Sequence, residues 1–343
     1  MSSVDGAASL VLVTGATGAV GPRVVVALQD AGYRVRTLSL DAPQSGLLPD
    51  GVEIRTGDVS DRSAVQSAMQ GVDAVIHMAA LLHIVEPSSS LREVYQRINV
   101  GGTATVVEAA VREGVKRVVL FSTIAVYGSS GLRTLTEDAA PHPDTLYAQT
   151  KLAAEKIILD AARPDGQPLG VVLRLSAVYG SRIKGNYRRL VLSLARRRFI
   201  SIGDGRNRRT LIYDRDVAHA AVLAMSHPAA AGRIYNLSDG SFHTLREITE
   251  TICVALGRTS PRLALPVGPA RIAAGVLEDV ARMAGRKPPI GRATVDKYTE
   301  DVAVSSQRIQ AELGFVPQFD LARGWQETVQ EMRQAGDLVN PHA

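Results

Sequence analysis

The run Thr14-Gly15-Ala16-Thr17-Gly18-Ala19-Val20-Gly21 constrains the fold of this chain more than any other stretch. Before it stands Ser9-Leu-Val-Leu-Val-Thr14, a short apolar run rich in β-branched residues, which reads as a buried parallel strand. After it an apolar helical pattern continues through Leu28. Strand, glycine turn and helix together make a seat for a diphosphate. The glycines let the backbone come close, and the helix N-terminus offers free N–H groups and a favourable dipole. The spacing is T-G-x-x-G-x-x-G rather than G-x-G-x-x-G, and the expected ligand is a dinucleotide. Cofactor contacts are assigned to Gly15, Thr17, Gly18, Ala19, Val20 and Gly21.

Further strands are predicted over 33–39, 52–56, 73–77, 118–121 and 169–175, with helices over 61–70 and 88–114 and another beginning just before Tyr147. This alternation implies an α/β fold, a Rossmann-like doubly wound parallel sheet. From about Ser181 the alternation lapses. Beyond Gly240 the pattern is helical, with a Pro/Gly break at 265–270, and a smaller, mostly helical C-terminal lobe for the substrate is expected. The division predicted is residues 1–180 and about 210–240 for the dinucleotide-binding domain, and 181–209 with 241–335 for the lobe.

The end of the second strand decides cofactor selectivity in such sheets. An acid there holds the ribose diol, and an arginine accepts a 2′-phosphate. Here it reads Thr37-Leu-Ser39-Leu-Asp41, with neither group at Ser39, so NAD and NADP both stay open, with NAD slightly favoured. Met78-Ala79-Ala80, after the fourth strand, carries small side chains that permit backbone approach to a ligand.

Chemistry concentrates at Tyr147-Ala-Gln-Thr-Lys151. Positions i and i+4 share a helix face, and an ammonium beside a phenol favours the phenolate. Such a pair can take a proton from an alcohol or give one to a carbonyl oxygen. Thr123 closes a strand at its carboxyl end, where parallel sheets hold ligands.

The only cysteine, Cys253, excludes an intrachain disulfide and a cysteine-rich metal site. His77 and His83 have no accompanying ligand cluster, so no metal is expected, and both read as structural or contact residues. Met1 to Gly6 lacks the features of a signal peptide, and no uncharged apolar run reaches about 18 residues. A cytoplasmic protein without a membrane partner is expected. Between 182 and 215 lie ten arginines and Lys184 against Asp204 and Asp214. Aromatics are sparse there, which disfavours nucleic acid and favours a small phosphorylated substrate.

Gly15-x-x-Gly18-x-x-Gly21, Asp58, Asn99, Thr123 and Tyr147-x-x-x-Lys151, in this order, resemble the extended short-chain dehydrogenase/reductase family over nearly the whole chain. Ser122-Thr-Ile-Ala-Val-Tyr127-Gly128, Leu173-Arg-Leu-Ser-Ala-Val-Tyr179-Gly180 and Arg209-x-x-Ile-Tyr213-Asp214-x-Asp216 are similar to its nucleotide-sugar epimerase, dehydratase and reductase branch. The resemblance implies Tyr147 as acid/base, with Lys151 on the nicotinamide ribose and lowering the tyrosine pKa. Thr123 would hydrogen-bond the reacting oxygen, and Asp58 and Val59 would touch the adenine. It also adds Asn99 to the cofactor residues and His83, Lys184, Asn186 and Arg209 to the substrate residues. A homodimer through the Ser88 and Asp144 helices is a further expectation.

Ile124 and Ala125 stand where 4,6-dehydratases carry an Asp-Glu pair, which argues against dehydration. The resemblance then implies a UDP-hexose type 4-epimerase with Tyr147 as acid/base. The alternatives are an NAD(P)H-dependent nucleotide 4-keto-sugar reductase, a 3β-hydroxysteroid-type dehydrogenase and a non-catalytic dinucleotide sensor.

Overall fold

The computed structural model describes residues 9–82, 89–261, 263–284 and 291–338. The chain begins β1 (Leu10–Thr14), α1 (Gly21–Asp30), β2 (Arg34–Ser39), β3 (Glu53–Thr56), α2 (Arg62–Met69), β4 (Ala74–His77). It continues α3 (Ser89–Tyr95), a π-helical turn (Gln96–Gly101), α4 (Gly102–Arg112), β5 (Arg117–Thr123), α5 (Leu146–Asp160), β6 (Gly170–Leu175). Then come β7 (Ala177–Tyr179), α6 (Asn186–Ala195), β8 (Ser201–Ile202), β9 (Arg208–Arg209), β10 (Leu211–Tyr213), α7 (Asp214–Ser226) and β11 (Ile234–Leu237). The last elements are β12 (His243–Thr244), α8 (Leu245–Leu256), β13 (Ala264–Leu265), α9 (Val267–Met283), α10 (Arg292–Thr299), α11 (Gln307–Leu313) and α12 (Leu321–Gln334).

Seven strands form one parallel sheet in the order β11-β6-β5-β4-β1-β2-β3. Strand order reverses between β1 and β4, the point at which such sheets hold ligands, outside the carboxyl ends of the strands. Every residue of β1 is buried because both faces of the sheet are covered. One face packs on α1, α7 and α11 and the other on α2, α4 and α5. Each fully buried Val or Leu of these layers contributes roughly 1.5–3 kcal/mol of transfer free energy. The expected doubly wound α/β sheet is present, followed by a largely helical C-terminal region. There α6, α8 and α12 enclose a separate core in which Tyr179 stacks on Trp325 with ring centroids 4.4 Å apart.

Two boundaries differ from the sequence expectation. The helix predicted over 88–114 is two helices joined by the π turn; Ser88 itself lies outside the described residues. A Cβ on Gly102 would stand 2.8 Å from the Val59 side chain, so this helix runs closer to the β3–α2 connection than a larger residue would allow. Strand β5 closes at Thr123, as expected, with Ser122 and Thr123 in register with Arg174 and Leu175. The break at 265–270 is shorter than expected. Helix α9 starts at Val267 with Gly268 and Pro269 in its first turn, where a proline removes no helical hydrogen bond.

Candidate active site

The glycine turn and the end of β4 meet at backbone contact. Gly15 has φ +74°, and a Cβ there would lie 2.8 Å from the Ala79 nitrogen. A Cβ on Gly21 would collide with the Ala16 carbonyl, so α1 rests directly on the turn. Thr17 N–H reaches the Ser39 hydroxyl at 3.4 Å, tying the turn to the end of β2. Helix α1 has neither a side-chain cap at Val20 nor an acid in its first turn. Its N-terminal N–H groups therefore keep their capacity for an anion. This cradle fits a diphosphate.

Behind it, His77 sits in a closed relay. The Thr103 hydroxyl donates to the Asn99 carbonyl at 2.7 Å, so toward His77 Nε2, 3.1 Å away, it can only accept. That places the proton on Nε2 and leaves Nδ1 to accept from the Thr14 hydroxyl at 2.7 Å, while Thr14 Oγ1 accepts from Ala79 N–H at 3.2 Å. Burial, with Lys151 nearby, pushes the imidazole down to about 3. The histidine is a neutral brace between β1, β4 and α4. Among the described residues no three His, Cys, Asp or Glu side chains could hold a metal ion.

Asn99 projects from the π turn, a feature often found at functional sites. Its Oδ1 accepts from Leu81 N–H at 2.7 Å, and its Nδ2 donates to the Leu81 carbonyl and the Thr150 hydroxyl, both at 3.1 Å. The amide is thus spent on holding the Met78-Ala79-Ala80-Leu81 segment against α5. Thr150 in turn donates to the Tyr147 carbonyl at 2.9 Å.

Helix α5 opens with the Thr145 hydroxyl accepting from Ala148 N–H. Tyr147, Lys151 and Glu155 follow at four-residue steps, on one face. Lys151 is 3% exposed. Burial brings its pKa down to about 8, against the opposing pull of Glu155. Burial, then Tyr95, pushes Tyr147 up to about 12. The lowering of the tyrosine expected from Lys151 does not show: burial and Tyr95 both raise it.

Glu155 explains how a cation stands buried here. Arg174 donates to its carboxylate through Nε at 3.1 Å to each oxygen and through Nη2 at 2.7 Å. The Ser122 hydroxyl donates to the same carboxylate. The Arg174 guanidinium lies 4.7 Å over the Tyr127 ring, and the Tyr127 hydroxyl donates to Asn236 Oδ1 at 2.8 Å. β5, β6, β11 and α5 are thereby locked together beside Thr123. Thr123 Oγ1 accepts from Ala125 N–H at 3.2 Å, and among the described residues its own hydrogen has no acceptor.

The remaining assignments are more dispersed. Asp58 follows β3; burial raises its pKa, but Ser60 and Arg97 outweigh that and hold the carboxyl below its ordinary value. Val59 packs against Gly102. At the end of β2, Ser39 is buried and Asp41 exposed, while Arg36 is engaged by Glu53 and by the Ala68 and Gln70 carbonyls. Lys184 and Asn186 are exposed at the start of α6. Arg209 donates to the Lys297 and Tyr298 carbonyls at 2.7 and 2.9 Å, anchoring α10. His83 lies outside the described residues. Sequence reasoning passed over Ser122, Glu155 and Arg174. A signal existed: Glu155 continues the Tyr147–Lys151 spacing, and Arg174 interrupts an apolar strand.

The NAD dependent epimerase/dehydratase family matches residues 11–238. The chain belongs to that family and is an NAD(P)-dependent enzyme of the short-chain dehydrogenase/reductase kind. It is similar to the N-acetyl-alpha-D-glucosaminyl-diphospho-ditrans,octacis-undecaprenol 4-epimerase of Escherichia coli O157:H7, 26% identical over 93% of this chain and 94% of that protein. It is also similar to a 3 beta-hydroxysteroid dehydrogenase/Delta 5-->4-isomerase of Mycobacterium tuberculosis, 29% identical over 90% of this chain and 86% of the other. Among solved structures, MoeE5 in complex with UDP-glucuronic acid and NAD matches with TM-score 0.73 and 27% identity over 95% of this chain and 99% of that one.

Proposed function

We propose that the protein is a 4-epimerase of diphosphate-linked hexoses, of the UDP-hexose type, with Tyr147 as acid/base and Thr123 and Lys151 as its partners. The observation that carries this reading is the line Tyr147, Lys151, Glu155 on α5. It keeps a buried cation one helical turn from the phenol, with its counter-charge held by Arg174.

A bound nicotinamide would supply the hydride acceptor and donor. Tyr147 takes the proton from the sugar 4-hydroxyl, and the Lys151 charge favours the phenolate that this creates. The Thr123 hydroxyl donates to the reacting oxygen. After the 4-keto sugar turns over, Tyr147 returns the proton. Gly15 to Gly21 would border the pyrophosphate, and Asp58 and Val59 the adenine. Met78, Ala79 and Ala80 would offer backbone to the cofactor, with Ser39 at its ribose. The absence of a charge at Ser39 leaves NAD, slightly favoured, or NADP as cofactor.

Two features weigh against dehydration and against a sterol. The 3₁₀ turn after Thr123, Ile124–Tyr127, begins with Ile124 and Ala125, which cannot move a proton to expel water. Lys184 and Arg189 at the start of α6 are exposed cations that suit a diphosphate better than a steroid ring system. Residues 181–209 and 241–335 would form the substrate lobe, and a homodimer through the α3–α5 side belongs to the same reading.

The test is proton NMR of the purified enzyme with UDP-galactose and UDP-N-acetylglucosamine, catalytic cofactor and no reductant. Appearance of the 4-epimer is expected. An unchanged spectrum, together with cofactor oxidation on 4-keto-sugars, would replace the epimerase by a one-way reductase.

A further inference from the structure

Helix α9 buries only one narrow side. Its inward residues are Ala270, Ala274 and Gly275. On the outside Ile272 is 70% exposed, Val276 57%, Val280 52% and Met283 81%, and at 100° per residue these four fall within one stripe. Leu277 widens it at 50% exposure. Just before α9 in the chain, β13 pairs with β8 in parallel, and Gly203 N–H donates to the Leu265 carbonyl at 2.8 Å. Leu263, Leu265 and Ile200 are exposed there by 78%, 48% and 54%. Exposed apolar side chains gathered on one helix face and on the strand edge that leads into it mark a contact surface.

Its surroundings are positive. The acids on α9 are already neutralised, Glu278 by Arg282 at 2.6 Å and Asp279 by Arg292 at 2.8 Å. Arg271 is held by Asp296 on α10. By contrast Arg196, Arg197 and Arg198, immediately before Phe199 and Ile200, are all exposed. Among the described residues no ion pair engages them, unlike Arg188 and Arg208 on either side. Phe199 packs on Tyr298 of α10 with centroids 6.4 Å apart, which keeps the three arginines beside the apolar edge. A groove lined by Gly268, Arg271, Ile272, Val276 and Arg292 opens on the same side, mixing apolar walls with two guanidinium groups.

We propose that α9 and the β8–β13 edge form a docking surface for an anionic phospholipid bilayer, lying on the membrane rather than crossing it. Apolar side chains along one helix face enter the headgroup–acyl boundary, and the Arg196–Arg198 cluster meets lipid phosphates. Sequence alone led to no membrane partner, because no spanning run is present; surface binding needs none. The inference is independent of which sugar the enzyme turns over.

The experiment is co-sedimentation of the full chain with phosphatidylcholine vesicles, with and without phosphatidylglycerol, over a salt series. Binding is expected to require phosphatidylglycerol and to weaken as salt rises. The double variant Val276→Glu/Val280→Glu should lose about tenfold or more in partitioning. Each of Arg196→Glu and Arg198→Glu should lose about fivefold or more. Thermal unfolding matching the wild type shows that these exposed substitutions leave the fold intact. Failure to bind phosphatidylglycerol vesicles overturns the proposal, as does binding that the double variant leaves unchanged. Light scattering showing a wild-type assembly that Val276→Glu/Val280→Glu takes apart would assign the face to a second copy of the chain instead.

Discussion

Two regions of this protein are rich in charge, and they use it differently. Beneath α5, Glu155 and Arg174 have side chains only 2% and 3% exposed, and the carboxylate accepts from Arg174 and Ser122. Along 182–215 the arginines are many, and a pair such as Arg188–Asp337 is partly open to water, at 31% and 34% exposed. A buried pair held by several hydrogen bonds sets geometry, because losing either member leaves an uncompensated charge in a dry site. An exposed pair is screened and adds little. Charge density in the sequence therefore points to the lobe, and structural consequence lies under the helix.

The largest expected effect tests the buried region's purpose. Tyr147→Phe should lower turnover by about 10²–10⁴-fold while cofactor binding, followed by fluorescence, persists. Undiminished turnover would remove Tyr147 from the chemistry. Next, Arg174→Met should cost about 3–5 kcal/mol in denaturant unfolding, since Glu155 loses its counter-charge.

Acid should find the same region. His77 has a folded pKa of about 3, well under its ordinary value near 6.5. Between these values the unfolded chain holds a proton that the folded protein excludes, so stability falls as pH falls. The slope from this group is about 1.4 kcal/mol per pH unit, and it is absent above 6.5. Unfolding series from pH 6.5 downward on wild type and His77→Asn would check this, the variant being flatter.

The smallest effect is expected in the lobe. Arg188→Ala should change stability by no more than about 1 kcal/mol. If Arg188→Ala and Arg174→Met cost the same, the contrast between the two regions fails.

Much of the fold was legible because its signals are local. A buried parallel strand needs apolar residues on both faces, a close turn needs glycine, and Gly15-x-x-Gly18-x-x-Gly21 after Leu10–Thr14 records both. The helix predicted over 61–70 was legible for the same reason, since Asp61 caps α2 through Ser63 and Ala64, within three residues. The four-residue spacing of Tyr147 and Lys151 by itself places them on one helix face. Arg209 was less legible: its chemistry suits a phosphate, yet its guanidinium is taken by the Lys297 and Tyr298 carbonyls almost ninety residues on.

By itself, then, the sequence determined the sheet, the glycine cradle and the candidate acid/base pair, all set by neighbours within a few positions. Only the tertiary structure decided what those groups experience. Burial dominates the Tyr147 phenol, and the Glu155 carboxylate, itself held by Arg174 of β6, opposes the lowering of Lys151 by burial. It also decided that Asn99 spends its amide as a brace and that α9 keeps an apolar face outside. Desolvation and long-range pairing depend on what packs alongside, and residues distant in the chain become neighbours only when the chain has folded.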